Sequence, residues 1–182
     1  MKRFLLFSIV AWYITVSCYC QIDWKNFMSQ QDMIWTRLPQ TWYEAPFMGN
    51  GSMGTYICKE PGKNAIRIDV GNSMVHDHRT NDRGVYGRCR LLIGYFLLHP
   101  AGEIKSGDMR LDLWNAETTG CIRTTLGEIK LKAYVTSESP YIVVETEATE
   151  GEKDFTWKFY PENTDSPRQL NAIQRNKKQE SF

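Results

Sequence analysis

Ile129-Lys130-Leu131-Lys132-Ala133-Tyr134-Val135 alternates without a break, an apolar side chain at every second position and Lys130, Lys132 and Tyr134 between them. Successive side chains of a strand point to opposite faces, so the heptapeptide reads as a strand with one dry and one wet face. The same period recurs on both sides of it. Ile66, Ile68 and Val70 alternate with Arg67 and Asp69, and Phe155, Trp157 and Phe159 alternate with Thr156, Lys158 and Tyr160. Thr55–Cys58, Leu111–Leu113, Ile122–Leu126 and Tyr141–Ala148 read as further strands. Arg90–His99 (RLLIGYFLLH) is nearly continuous in apolar residues, as a strand buried on both faces would be. Turn residues cluster between these pieces, at Pro61-Gly62, Pro100-Ala101-Gly102, Ser106-Gly107, Gly127 and Ser139-Pro140. Short strands with regular turn signals predict an all-β fold, an antiparallel, supersandwich-like β-sandwich. No repeat of fixed period is visible.

The ends of the chain read differently. Asp23 caps a segment with Trp24, Phe27, Met28, Ile34 and Trp35 at helical spacing, so a short helix is expected there, ended by Leu38-Pro39. Before it, Lys2 and Arg3 precede an apolar run from Phe4 to Val16, about thirteen residues and shorter than the roughly 18–20 of a membrane span. Residues 1–20 therefore read as a secretory signal peptide, with an uncleaved anchor as the alternative. Cleavage after Cys20 gives a secreted or periplasmic chain with no membrane span; Cys18 in a loose lipobox would give a lipid anchor instead. The sandwich is expected over 21–160. From Pro161 to Phe182 the chain is polar, as a tail or the start of a linker, and the sandwich is expected to be incomplete at that end.

Charge and cysteine content exclude several partners. The 182 residues carry 22 Lys+Arg against 21 Asp+Glu, a net charge of +1. That balance gives no case for nucleic acid as a partner, since phosphate binding usually leaves a basic face. Without the leader, Cys58, Cys89 and Cys121 remain, enough for one disulfide at most, and no spacing among them suggests zinc. They read best as small buried residues.

Four constellations bear on function. Gly49-Asn50-Gly51-Ser52-Met53-Gly54 matches a dinucleotide fingerprint by letters, but a strand-like Thr55-Tyr56-Ile57-Cys58 follows where a helix must start. It reads as a tight turn that needs Gly49, Gly51 and Gly54. Trp42-Tyr43-Glu44-Ala45-Pro46-Phe47 is dense in aromatics for a loop, and exposed Trp and Tyr stack on the apolar faces of sugar rings. Trp24, Trp35, Trp114 and Trp157 are further candidates, each read singly as core. His76-Asp77-His78 places two imidazoles two residues apart, but no third ligand matches, so a polar loop is the better reading and no metal or cofactor is called for. Glu44, Asp69, Asp77, Asp108 and Asp112 imply no catalytic pair, and no histidine neighbours a nucleophile elbow.

Trp42–Gly54 (WYEAPFMGNGSMG) resembles the opening motif of glycoside hydrolase family 95, with acidic-Ala-Pro followed by Gly-Asn-Gly. Arg110-Leu-Asp-Leu-Trp-Asn-Ala116 with Gly127-Glu-Ile129, and Ser137–Val144, resemble strands that follow in that family. A related group of uncharacterised N-terminal domains of similar hydrolases fits about equally well. The resemblance spans roughly 35–165. It implies an accessory β-sandwich of a secreted, α-L-fucosidase-like hydrolase, whose catalytic acid lies in an (α/α)6 module that this chain lacks. It carries over no catalytic residue. It implies a cleft-lining or sugar-contacting role for the loop, with Trp42, Tyr43, Glu44, Asn50, His76, Asp77 and His78 as candidates, and a carbohydrate partner bound weakly or through the missing module. A free-standing carbohydrate-binding module and a secreted interaction domain are the rival readings. The chain alone is expected to be catalytically silent, and the sequence leaves its oligomeric state open.

Overall fold

The computed structural model describes residues 22–76 and 90–162. The leader with Cys18 and Cys20, Asp77, His78, Cys89 and the polar tail from Asn163 lie outside the described residues. What is described is an antiparallel, all-β, sandwich-like fold with one short helix.

Among the described residues ten strands form two five-stranded sheets. In chain order they are β1 (Met33–Trp35), β2 (Phe47–Gly49), β3 (Met53–Lys59), β4 (Ile66–His76), β5 (Arg90–His99), β6 (Ile104–Asp112), β7 (Glu117–Thr124), β8 (Glu128–Val135), β9 (Ile142–Ala148) and β10 (Thr156–Pro161). The first sheet has the order β1-β6-β7-β8-β9, the second β10-β5-β4-β3-β2. β2 packs on β7 and β8, and β3 on β8 and β9. The alternations of Ile66–Val70 and Ile129–Val135 send their apolar halves between the sheets, whereas Trp157 and Phe159 of the third alternation remain about 40% exposed. Ile57, Ile66, Ile68 and Leu98 of one sheet meet Met109, Ile122, Ile129 and Leu131 of the other, all at 3% exposure or less. Each such side chain contributes about 1.5–3 kcal/mol of burial energy.

Three expectations need correction. The helix, α1 (Trp24–Ser29), is capped by Asp23, whose carboxylate accepts from the Asn26 amide at 3.0 Å, but it ends at Ser29, well before Leu38-Pro39. Ile34 and Trp35 belong to β1, where they pair with Arg110 and Met109. Three aligned apolar turns do not outweigh a ladder of cross-strand hydrogen bonds. Asp32 sets the start of that ladder by accepting from the Leu113 amide and ion-pairing with Arg110.

Ser106-Gly107 is not a turn but the middle of β6, where Gly107 makes room for a neighbour: a Cβ there would lie 2.6 Å from the Leu38 side chain and from the Cys121 carbonyl oxygen. The apolar run of β5 is buried on both faces only at Leu97 and Leu98. Leu92 and Phe96 are 43% and 40% exposed, and the first sheet does not cover β5 as it covers β2 and β3.

A fully buried carboxylate ties the far end of the sandwich. Glu152 accepts from the amides of Ala101 and Gly102, at 2.8 and 2.9 Å, and from the Thr124 hydroxyl. It thereby joins the β5–β6 turn, β7 and the short 3₁₀ turn at Glu150–Glu152.

Candidate functional site

The β2–β3 turn is organised by one side chain. Asn50 Oδ1 accepts from the amides of Ser52 and Met53, at 2.9 and 2.7 Å. Its Nδ2 donates to the carbonyls of Thr136 and Ser139, at 2.8 and 3.3 Å, in the turn between β8 and β9. The amide thus closes its own turn and fastens one sheet to the other. Gly51 sits at φ +87°, a conformation that suits glycine. Gly49 faces Gly54 across the hairpin, and a Cβ on Gly49 would lie 2.9 Å from the Met53 carbonyl oxygen. A strand, not a helix N-terminus, follows the turn, so the letters of the dinucleotide fingerprint have none of its geometry.

The loop before it displays its aromatics. Trp42 and Tyr43 occupy a 3₁₀ turn, 68% and 74% exposed, with rings edge to face and centroids 5.7 Å apart. Phe47 is 70% exposed. Glu44 holds the turn in place rather than facing outward. Its carboxylate takes two hydrogen bonds from Arg37, at 2.7 and 3.2 Å, and one from the Gln40 amide at 2.5 Å. The hydrogen bonds from Arg37 hold that carboxyl below its ordinary range. Its carbonyl accepts the Trp35 indole N–H at 2.6 Å.

Behind the loop lies the outer face of the second sheet, with residues that the sequence reading did not single out as a site. Register aligns Phe47 with Tyr56, and Asp69 with Tyr95 and Tyr160. Asp69 is 1% exposed, yet Arg67 grips both its oxygens, at 2.7 and 2.9 Å. The Arg67 guanidinium lies 3.6 Å from the centroid of the Tyr95 ring, and Tyr95 stacks on Tyr160 at 5.4 Å and 13°. Burial, then Asp69, push the Tyr56 hydroxyl well above its ordinary pKa; the hydrogen bond to Asp69 raises that of Arg67. The alternation of Ile66–Val70 already put Arg67 and Asp69 on one face. Their aromatic cover depends on strand register, which no local pattern encodes.

Two cavities open on this face with Tyr56 as their common wall. One, of about 430 Å³, is lined by Trp42, Tyr43, Gln40, Thr41 and Arg67 among others. The Thr41 hydroxyl is buried and has no hydrogen-bond partner among the described residues. The other, of about 390 Å³, lies over Gly54 and Gly71, between Phe47, Ser52 and Leu92. A larger cavity of about 600 Å³ lies on the first sheet, beside Asp108, Arg110, Cys121, Lys132 and Glu145. There Arg110 is tied to Asp32, and Lys132 to Glu117 at 2.9 Å, while Asp108 is bound by Arg123 at 2.6 Å. It contains none of the strongly exposed aromatic rings, and of the residues weighed for a site from the sequence it holds only Trp35, Asp108 and Cys121, so the second sheet is the better candidate.

The predicted residues are therefore divided. Trp42 and Tyr43 line one cavity, Glu44 anchors their turn, and Asn50 is engaged by Thr136 and Ser139. His76 ends β4 opposite Arg90. Asp77 and His78 lie outside the described residues. Among the described residues no group of three His, Cys, Asp or Glu side chains is placed to hold a metal ion, and no helix is long and apolar enough to cross a membrane. Cys58 and Cys121 are free thiols. No protein-family model, curated protein or solved structure matches the chain.

Proposed function

We propose that the chain is the accessory β-sandwich of a secreted glycoside hydrolase similar to family 95, and that Trp42, Tyr43 and Phe47 form its glycan-facing rim. The observation that carries the reading is the exposure of these three rings, 68–74%, on a loop fixed at both ends by Glu44 and Asn50. A soluble domain rarely leaves large rings clustered in water unless they meet a partner. Sugar rings suit them, since pyranose C–H faces stack on aromatics while the hydroxyls need nearby polar groups. The exposed Gln40 amide, in the cavity that Trp42 and Tyr43 line, supplies such a group.

Hydrolysis is not assigned to this chain. A general acid and its partner carboxylate must flank a bond with one of them held protonated. Glu44 and Asp112 are both shifted downward.

The test is tryptophan emission during titration with fucosylated, xylose- and galactose-based oligosaccharides. The expected result is weak, saturable quenching, with Kd of about 1 mM or above, abolished in Trp42→Ala/Tyr43→Ala. No response to any sugar, or an undiminished response in the double variant, overturns the reading, as does turnover of a glycoside by the purified chain. The same exposed rim also favours a free-standing carbohydrate-binding module. Binding about 100-fold tighter would select that alternative.

A further inference from the structure

The two sheets are out of step. β2 and β3 already cover β7, β8 and β9, and β9 is the last strand of its sheet. The opposite sheet continues with β4, β5 and β10, and β5 and β10 make no comparable approach to the first sheet. Their inner side is nevertheless apolar. Register puts Phe96 and Phe159 beside Ile68, and Trp157 beside Leu98, on the face that elsewhere forms the core. Phe96, Phe159 and Trp157 remain 40%, 41% and 38% exposed. Between them and β9 runs a cleft of about 280 Å³ lined only by Ile68, Val70, Phe96, Ile142, Val144 and Trp157.

The edge of β9 borders this cleft. It is seven residues long, is straight in register and contains no proline. The β1 and β2 edges are three residues each, and β10 carries Lys158 and ends in Pro161, all features that blunt edge pairing. A strand of this length whose outer edge has no neighbour among the described residues offers a row of backbone donors and acceptors to an incoming strand.

Charge identifies the incoming strand. The outer side of β9 presents Glu145 and Glu147, opposite Lys132 and Lys130 of β8. Lys132 is drawn toward Glu117, at 2.9 Å, and neither Glu145 nor Glu147 has an ion pair among the described residues. A second copy pairing through β9 would set glutamates against glutamates, which is destabilising. A strand with lysine or arginine on its outer side and apolar residues on its inner side meets both faces. We propose that the β9 edge, with the β5–β10 floor beneath it, docks an extended segment of a partner protein that alternates basic and apolar residues. This inference does not rest on the glycan reading.

The experiment uses the full chain and a seven-residue peptide alternating lysine with valine and phenylalanine, against the same peptide with glutamate for lysine. Hydrogen exchange over 142–148 and the emission change lost in Trp157→Phe report the site. The lysine peptide is expected to protect 142–148 and to bind about 10-fold more tightly than the glutamate peptide. Glu145→Gln/Glu147→Gln, which removes both charges without setting lysine against Lys130 and Lys132, is expected to abolish that preference. Equal binding of the two peptides, no binding, or an unchanged preference in the double variant overturns the proposal. So does protection of 142–148 in the free chain that disappears on truncation after Glu162, or that rises with chain concentration as a dimer forms.

Discussion

The Arg67 guanidinium lies 3.6 Å from the centroid of the Tyr95 ring. In that position it shields the two hydrogen bonds it makes to Asp69 from water, so a charge pair is sealed onto the outer face of a sheet. Arg67→Ala leaves a carboxylate at 1% exposure without its counter-charge, and the expected loss of stability in urea denaturation is about 3–5 kcal/mol. Arg67→Lys recovers only part of it, because an ammonium neither forks onto both oxygens nor stacks. A loss below about 1 kcal/mol for Arg67→Ala would mean that the pair is not sealed.

Asn50→Ala removes two donors to Thr136 and Ser139 and two acceptances inside the turn. About 2–3 kcal/mol is expected, read from the urea midpoint. Asn50→Asp keeps the turn but sets a carboxylate oxygen against two carbonyls. It should be no milder than alanine, whereas a turn that mattered only locally would tolerate it.

Trp42→Ala and Tyr43→Ala make the opposite prediction. Both side chains are mostly in water, so each should shift stability by no more than about 0.5 kcal/mol while the sugar-dependent signal is lost. Parallel loss of stability and signal would assign the rings to the scaffold instead.

Thr118 is fully buried, and its hydroxyl has no hydrogen-bond partner among the described residues. Thr118→Val keeps the shape and removes the unpaired polar atom. Thermal denaturation should show a gain of about 1 kcal/mol. A loss would place an ordered water on that hydroxyl.

Stability should fall at both ends of the pH scale. Burial, followed by the nearby Asp69 charge, pushes the Cys58 thiol up to about 12. Its folded pKa is above its unfolded value of about 8.5, so the contribution is present below that value and is lost as pH rises toward the folded one. Cys58→Ala should remove this part of the alkaline decline. A disulfide-exchange reagent at pH 8 should modify the half-exposed Cys121 before Cys58. The carboxyls of Glu44, bound by Arg37, and of Asp112, bound by the Asn115 amide, are shifted down. Their contribution holds above ordinary carboxylate values and is lost as pH falls through their folded ones. Intrinsic fluorescence across the two limbs checks both signs.

The sequence disclosed strands where alternation was local and long, as in Ile66–Val70 and Ile129–Val135. Met33–Trp35 and Phe47–Gly49 are too short for a period to show, and they exist because β6 and β3 pair with them. Gly107 carried a turn signal but serves as space for Leu38, a neighbour distant in sequence. The exposed rim was legible as an aromatic-rich loop. Its backing of Tyr56, Tyr95 and Tyr160 was not, since those rings come from three strands and meet only through register. Glu152 looked like any acidic residue near a glycine until the fold brought Ala101 and Gly102 to it.

Asn50 and Thr136 are 86 residues apart, and Glu152 is 51 from Ala101. Neither clasp can form until a long stretch of chain has looped back, and β1 waits in the same way for β6. Sandwiches closed by such distant partners fold in about milliseconds to seconds rather than microseconds. During synthesis the first hairpins leave the ribosome before the strands that will cover them. For that interval their apolar faces depend on speed of elongation, or on a chaperone, to escape aggregation.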